Sequence, residues 1–165
     1  MFPEELLSLD LANILAVLAI AASPISELRG AIPIAIIGFH FPWYSAFLLA
    51  IIGNLLPVPF ILLFLNAISR PMRKIEILDR MLDWFFARIR RRGKIIERYG
   101  RIGLVLFVAI PLPVTGAWTG SLAAALLGLR FKHALLSIFI GILIAGIIVT
   151  YATLLGWGIF GLLEA

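Results

Sequence analysis

The chain has 165 residues, of which 62% are apolar and 14% are charged, and its mean hydropathy is +1.10. An average soluble domain has about 25% charged residues, so a chain this small lacks the polar groups needed to cover its surface in water. This excludes an ordinary soluble domain and a disordered chain. It predicts an all-α integral membrane protein with a single membrane domain over residues 1–165.

The net charge of +5 is concentrated in one segment. Residues 69–101 contain 11 basic and 4 acidic residues, a net of +7, and the rest contains 3 basic and 5 acidic residues, a net of −2. By the positive-inside rule, a basic segment between apolar segments is cytoplasmic. The acidic N-terminus is a poor match to a signal peptide.

The first apolar segment, 11–41, is divided in two. One apolar run covers 11–22 and ends at Ser23 and Pro24, and a second run covers 31–41. As helices these runs are about 16–18 Å long, which is too short to cross a hydrocarbon core of about 30 Å. Since proline stops a helix, and irregular backbone at membrane depth requires protein around it, we predict a re-entrant hairpin over 11–41.

Two uncharged runs, 43–67 and 134–163, are long enough to span a membrane. Asn54, followed by Pro57 and Pro59, interrupts the first of them. We expect the Asn54 side chain to hydrogen-bond a freed hairpin carbonyl, and the alternative is contact with a substrate.

The basic linker, 68–101, is predicted to be an amphipathic helix. Apolar residues recur every seven positions from Ile68 to Ile96, opposite a cationic face. Such a helix fixes the topology and contacts anionic lipid headgroups. No nucleic-acid-binding module accompanies the charge, so nucleic acid is not an expected partner.

The segment 102–129 repeats the pattern of 11–41, because a Pro/Gly-rich string divides it into two short apolar runs. We therefore predict two inverted repeats, each a re-entrant helical hairpin followed by a spanning helix, joined by the cytoplasmic linker. Both termini are then outside the cell. Four simple, kinked spanning helices are the alternative, which places Arg130 and Lys132 outside.

Glu27 and Arg29 are the ionisable residues of the first hairpin. Ionisable groups inside a membrane usually face a polar interior and mark ion or substrate pathways. Positions i and i+2 are not neighbours on a helix, but on an unwound loop the two side chains could meet. They are candidates for proton coupling and substrate contact, and the alternative is an ion pair that locks the hairpin.

The second hairpin loop is uncharged and carries freed carbonyls, hydroxyls and an indole N–H. A half-helix that starts near Thr115 presents free N–H groups, which favour an anion. The alternative is a tight turn whose small residues allow close packing. The candidate loop backbone and substrate wall consists of Gly30, Pro33, Pro111, Pro113, Thr115, Gly116, Trp118 and Thr119.

Three strings resemble the prokaryotic Putative small multidrug export protein family: residues 26–33, 53–60 and 107–120. The resemblance runs from about Ser23 to Tyr151 and implies drug efflux. The chain is also distantly similar to the DedA/VTT superfamily, which is implicated in moving lipids and polyprenyl phosphates. Glu27 could match an acidic residue of its first hairpin, whereas the arginines of its second hairpin have no counterpart within 111–129.

The resulting hypothesis is a multi-pass transporter of the prokaryotic inner membrane, proton-coupled, that moves a small amphipathic compound or a lipid. The alternatives are a DedA-like lipid or polyprenyl-phosphate flippase or scramblase, and a membrane-organising protein that does not transport. The sequence has no catalytic or metal-binding set of residues, so neither enzymatic activity nor a cofactor is expected. Expected partners are membrane lipids, the substrate and protons, and the small number of helices is compatible with a homodimer.

Overall fold

The computed structural model of the chain describes residues 10–72, 94–110, 115–126 and 128–163. Across these ranges the protein is helical and has no β-strand. The helices are α1 (Leu11–Ala22), α2 (Glu27–Pro33) with a π-helical segment (Ile34–Gly38), α3 (Trp43–Leu55), α4 (Pro57–Met72), α5 (Lys94–Ala109), α6 (Ala117–Leu126) and α7 (Phe131–Leu163).

Two stretches of helix are long and apolar enough to cross a membrane, Trp43–Phe64 and Phe131–Gly158. Only 33% and 39% of their most apolar windows are buried by the rest of the chain, whereas a core helix of a soluble protein is mostly buried. Large apolar side chains such as Leu48, Ile52 and Phe60 are exposed along the first stretch. The all-α class and the two long apolar helices are therefore confirmed.

Local sequence signals set the helix ends. The Asp10 side chain accepts a hydrogen bond from the Ala12 amide and caps the N-terminus of α1. Pro57 occupies the first position of α4, where its missing N–H costs little. Gly128, with φ of 67°, follows α6, and the Leu129 amide donates to the Ala124 carbonyl there.

The second arm of the first hairpin begins earlier than predicted. The sequence favoured a helix from residue 31, but α2 begins at Glu27, so the break covers only residues 23–26. Pro33 lies inside α2 and does not stop it. After Pro33 the backbone continues as the π-helical segment, in which the hydrogen bonds join residues five apart. The Phe39 amide donates to the Ile34 carbonyl there.

The chain forms two compact units, and α7 contributes to both. The first comprises residues 1–56 and 142–165, and the second comprises residues 57–141. In the first unit α1 packs on α2 and on α3, and α2 packs on α3. In the second unit α6 packs on α4 and on α5.

Glycines allow the closest helix contacts in each unit. A Cβ atom at Gly53 of α3 would lie 2.7 Å from Ala21 Cβ and 2.7 Å from the Leu18 carbonyl oxygen of α1. A Cβ atom at Gly141 of α7 would lie 2.6 Å from Val108 Cβ and 3.0 Å from the Val105 carbonyl oxygen of α5. The same local contact therefore occurs in both units: a glycine of a candidate membrane span meets residues i and i+3 of a shorter apolar helix.

Two further glycines lie at helix contacts, one in each unit. Gly30 of α2 faces Ile20 of α1, and Gly120 of α6 faces Val108 of α5.

Part of the predicted architecture lies outside the described residues. This includes residues 73–93 of the basic linker and both chain ends. At the linker's other end, Gly100 has φ of 54° and kinks α5 next to the predicted start of the second hairpin.

The glycine contacts lead to a stability prediction. Gly53→Ala and Gly141→Ala place a methyl group against backbone of the neighbouring helix, so each should destabilise the protein by about 1–3 kcal/mol. The melting temperature, followed by tryptophan fluorescence in detergent, should fall by several degrees.

Gly158→Ala is the matched control, because a Cβ atom at Gly158 meets nothing within 4 Å. It should leave the melting temperature unchanged or slightly raised, since alanine favours helix. Equal effects at all three positions would contradict the close-contact interpretation.

Candidate functional site

A tight turn joins α1 to α2 and holds the ionisable residues of the first unit. The Ser23 side-chain oxygen accepts from the Ile25 amide at 3.3 Å, and the Ser23 carbonyl accepts from the Glu27 amide at 3.1 Å. Glu27 has φ of 48°, in the left-handed region that residues other than glycine rarely adopt. A buried glutamate therefore sits at a strained backbone position.

Glu27 and Arg29 form an ion pair. Arg29 Nη2 lies 3.6 Å from Glu27 Oε2, and the two side chains are 27% and 8% exposed, respectively. Both residues belong to the first turn of α2, whereas the sequence suggested that they would need an unwound loop to meet. The backbone at Glu27 is left-handed and not regular helix, so the neighbour rule for i and i+2 positions on a helix does not apply to this pair.

The remaining first-hairpin candidates support this turn. The Gly30 amide donates to the Ser26 carbonyl at 3.0 Å. A Cβ atom at Gly30 would lie 3.0 Å from Ser26 Cβ, so the small residue allows the turn to close tightly. Pro33 lies at the last position of α2.

The second hairpin loop is closed by a side-chain hydrogen bond. Thr115 Oγ1 donates to the Ile110 carbonyl at 2.8 Å and ties together the two ends of the loop. Pro111 and Pro113, predicted for this site, lie between these ends and outside the described residues. The sequence predicted that the Thr115 hydroxyl faces a substrate. In the structure this hydroxyl donates its hydrogen bond to the Ile110 carbonyl and closes the loop.

The N-terminus of α6 lies directly after this loop. Gly116 has φ of 155°, and its carbonyl accepts from the Gly120 amide at 2.8 Å and from Thr119 Oγ1 at 3.4 Å. Trp118 is half-buried in the first turn of α6. The helix begins at Ala117, close to the predicted start near Thr115.

Asn54 is buried just before the break between α3 and α4. It is 1% exposed, and neither its Oδ1 nor its Nδ2 atom has a hydrogen-bond partner in the part of the chain that the structure describes. The predicted hydrogen bond to a hairpin carbonyl is not formed there. Sequence reasoning missed this buried, unpaired amide, although Pro57 and Pro59 mark the place where the helix changes.

The candidate residues lie in two sets, one in each unit. Glu27, Arg29, Gly30, Pro33 and Asn54 belong to the first unit, and residues 115–119 belong to the second. The chemistry of the first set is that of a buried acid, Glu27, paired with a half-buried base, Arg29. Within the described ranges, no group of acidic, histidine or cysteine side chains could hold a metal ion.

The family model described as "Putative small multi-drug export protein" matches residues 27–148, which is more than half of the chain. The chain belongs to this family. The matched region starts at Glu27 and contains Arg29, Asn54 and the second hairpin loop. No curated protein and no solved structure matches the chain. The similarity to the DedA/VTT superfamily stays a prediction.

The loop-closing hydrogen bond leads to a second prediction. Thr115→Val removes the hydroxyl and should cost about 0.5–1.5 kcal/mol, because the Ile110 carbonyl at the helix end loses a donor. The melting temperature should fall by about 2–4 °C for each kcal/mol of stability that is lost. Thr115→Ser keeps the hydroxyl and should retain most of the stability.

Thr153→Val provides the matched control. Thr153 Oγ1 donates at 2.8 Å to the Val149 carbonyl within continuous helix, so its loss leaves no loop open. A larger loss of stability at Thr153 than at Thr115 would contradict the loop-closing role.

Proposed function

We propose that this member of the small multi-drug export family is a proton-coupled transporter. Its substrate is a small amphipathic compound or a lipid, and Glu27 is the group that binds and releases the proton. The observation that carries the proposal is the buried Glu27 carboxylate, paired with the half-buried Arg29 in an otherwise apolar hairpin. Ionisable groups at membrane depth are costly and typically belong to ion or substrate pathways.

The ion pair offers two electrostatic states. When Glu27 is ionised, its charge compensates that of Arg29, and the pair is neutral as a whole. When Glu27 binds a proton, it no longer offsets the charge of Arg29, whose side chain is 27% exposed. That charge then favours either an anionic group of the substrate or movement of Arg29 towards water.

The backbone at Glu27 supports movement of the turn. A left-handed conformation at a residue other than glycine costs about 1–3 kcal/mol and persists only when surrounding interactions hold it. The ion pair and the hydrogen bond from the Glu27 amide to Ser23 are such interactions. Protonation weakens the first of them, which makes relaxation of the turn easier.

Helix lengths support re-entrant hairpins as part of this proposal. Helix α1 has 12 residues and α6 has 10, so they extend about 18 Å and 15 Å, short of a hydrocarbon core of about 30 Å. We place both hairpins as inverted repeats in the prokaryotic inner membrane, with the basic linker 68–101 in the cytoplasm and both termini outside. In this arrangement the basic linker contacts anionic lipids. The loop before α6 lines the substrate path. Two copies of the chain could associate as a homodimer.

Reconstituted protein tests the proton coupling. Liposomes loaded with ethidium, an amphipathic cation, should show flux that depends on an imposed pH gradient. Glu27→Gln keeps the shape of the side chain but cannot ionise, so it should reduce this flux to the level of protein-free liposomes. Asp10→Asn is the matched control, since it makes the same change at an exposed helix cap where asparagine also caps well.

Other outcomes separate the alternatives. Gradient-driven flux at the wild-type rate in Glu27→Gln would contradict proton coupling through this residue. Transbilayer movement of a fluorescent phospholipid without any gradient would instead favour a scramblase. Because Glu27→Gln removes the ion pair with Arg29, folding of the variant is checked by its elution profile, and Glu27→Asp should retain partial flux.

A further inference from the structure

The two members of the Glu27–Arg29 ion pair are buried to different depths. The Glu27 side chain is 8% exposed, whereas that of Arg29 is 27% exposed. The acid is therefore the member that the protein encloses, and the base is the member with surface left open. Since an arginine that faces hydrocarbon is costly, its open side faces water or another polar surface. The guanidinium thus has a direction in which it can leave the carboxylate.

The elements that pack on α2 supply no other charge to this carboxylate. Helices α1 and α3 and the π-helical segment contain no acidic or basic residue, and Tyr44 of α3 is their one titratable group. A carboxylate buried in such surroundings needs a cation or a proton to compensate its charge. Arg29 is the one basic residue of α1, α2 and α3. When its guanidinium moves away, the carboxylate therefore favours another cation.

The contact within the pair is loose. Arg29 Nη2 lies 3.6 Å from Glu27 Oε2, whereas a tight charge-assisted hydrogen bond between such groups is about 2.7–2.9 Å long. The pair therefore resists separation less than a tightly hydrogen-bonded pair would. Because the two residues are only two positions apart in the chain, Arg29 stays close to the carboxylate after it has moved.

Exposed apolar side chains lie close to Glu27 along the chain. Ile25 is exposed in the turn before it, and Ile34 is exposed about two helical turns after it. Binding sites for small molecules combine apolar surface with a few polar or charged groups. The surroundings of Glu27 thus suit an ion whose charge is attached to an apolar body.

We infer that Glu27 binds lipophilic organic cations and that Arg29 is a built-in competitor for the same carboxylate. One cation compensates the carboxylate at a time: Arg29 at rest, the substrate when it binds, or a proton. The guanidinium moves towards its open side when the organic cation binds, and it returns when the cation leaves. This competition weakens binding and favours release. The inference rests on the proposed function in taking this pair as the substrate site, and it adds the charge of the substrate.

Binding of tetraphenylphosphonium, a lipophilic cation, tests the inference on the full-length protein without any gradient. The radiolabelled cation is equilibrated at mildly alkaline pH with protein in lipid nanodiscs, and binding to empty nanodiscs is subtracted. Arg29→Gln removes the competitor and should lower the Kd at least about tenfold. Because misfolding weakens binding, it cannot account for such a gain.

Further variants identify the group that binds the cation. Glu27→Gln should abolish saturable binding, and acidification, which protonates Glu27, should weaken binding in wild-type protein and in Arg29→Gln. Arg29→Lys keeps a competing cation, so it should bind tetraphenylphosphonium more weakly than Arg29→Gln does. Arg130→Gln is the matched control, because it removes the same charge at an exposed position just before α7 and should keep the wild-type Kd.

Tetraphenylborate has the same shape and the opposite charge, so it reports on the other member of the pair. Binding of tetraphenylborate that is lost in Arg29→Gln would overturn the inference. An unchanged Kd for tetraphenylphosphonium in Arg29→Gln, or an equal gain in Arg130→Gln, would overturn it as well.

The flux assay with Glu27→Gln gives a separate result. If flux is lost there but Arg29→Gln does not tighten binding, proton coupling stands and the competitor role is overturned. If Arg29→Gln tightens binding while Glu27→Gln keeps gradient-driven flux, the cation site is supported and proton coupling through Glu27 is contradicted.

Discussion

Close approach of helix backbones at glycine is the constraint on which the rest of this structure depends. Lipid is as apolar as the side chains, so burial of apolar surface does not drive these helices together as it would in water. Gly53 lets α3 touch the backbone of α1, and Gly141 lets α7 touch the backbone of α5. These contacts allow short helices, which cannot cross the membrane alone, to be held against long ones.

The same contacts position the chemistry. Gly53 brings α3 against the end of α1, so the turn that carries Glu27 and the buried amide of Asn54 belong to one packed unit. In the second unit, Val108 lies against both Gly120 and Gly141, and the Thr115 hydrogen bond closes the neighbouring loop. Polar groups are therefore held at defined places in a chain that is otherwise apolar.

Helix breaks are where this chain departs from regular structure, and each departure has a local cause. Ser23 and Pro24 end α1, the left-handed backbone at Glu27 starts α2, and Pro57 starts α4. Each break frees backbone groups or redirects a side chain. Inside a membrane only such breaks offer unpaired polar backbone groups, because uninterrupted helix satisfies its own.

The sequence was sufficient to predict the membrane class, the two long apolar helices and the breaks that divide the segments 11–41 and 102–129. These follow from run lengths, proline positions and charge, which are local properties. It could not predict the π-helical segment that follows Pro33, because the sequence has no signal for a helix of that width. It could not predict the positive φ of Glu27 either, since no residue type signals one there.

Protonation of Glu27 itself is the central claim, and infrared spectroscopy measures it directly. Purified protein in lipid is titrated with acid while the carbonyl stretching band of protonated carboxyl groups is recorded. We expect a band that appears as the pH falls, is absent from Glu27→Gln, and changes when the transported compound is added. A band that is identical in wild-type protein and Glu27→Gln at every pH would contradict the account.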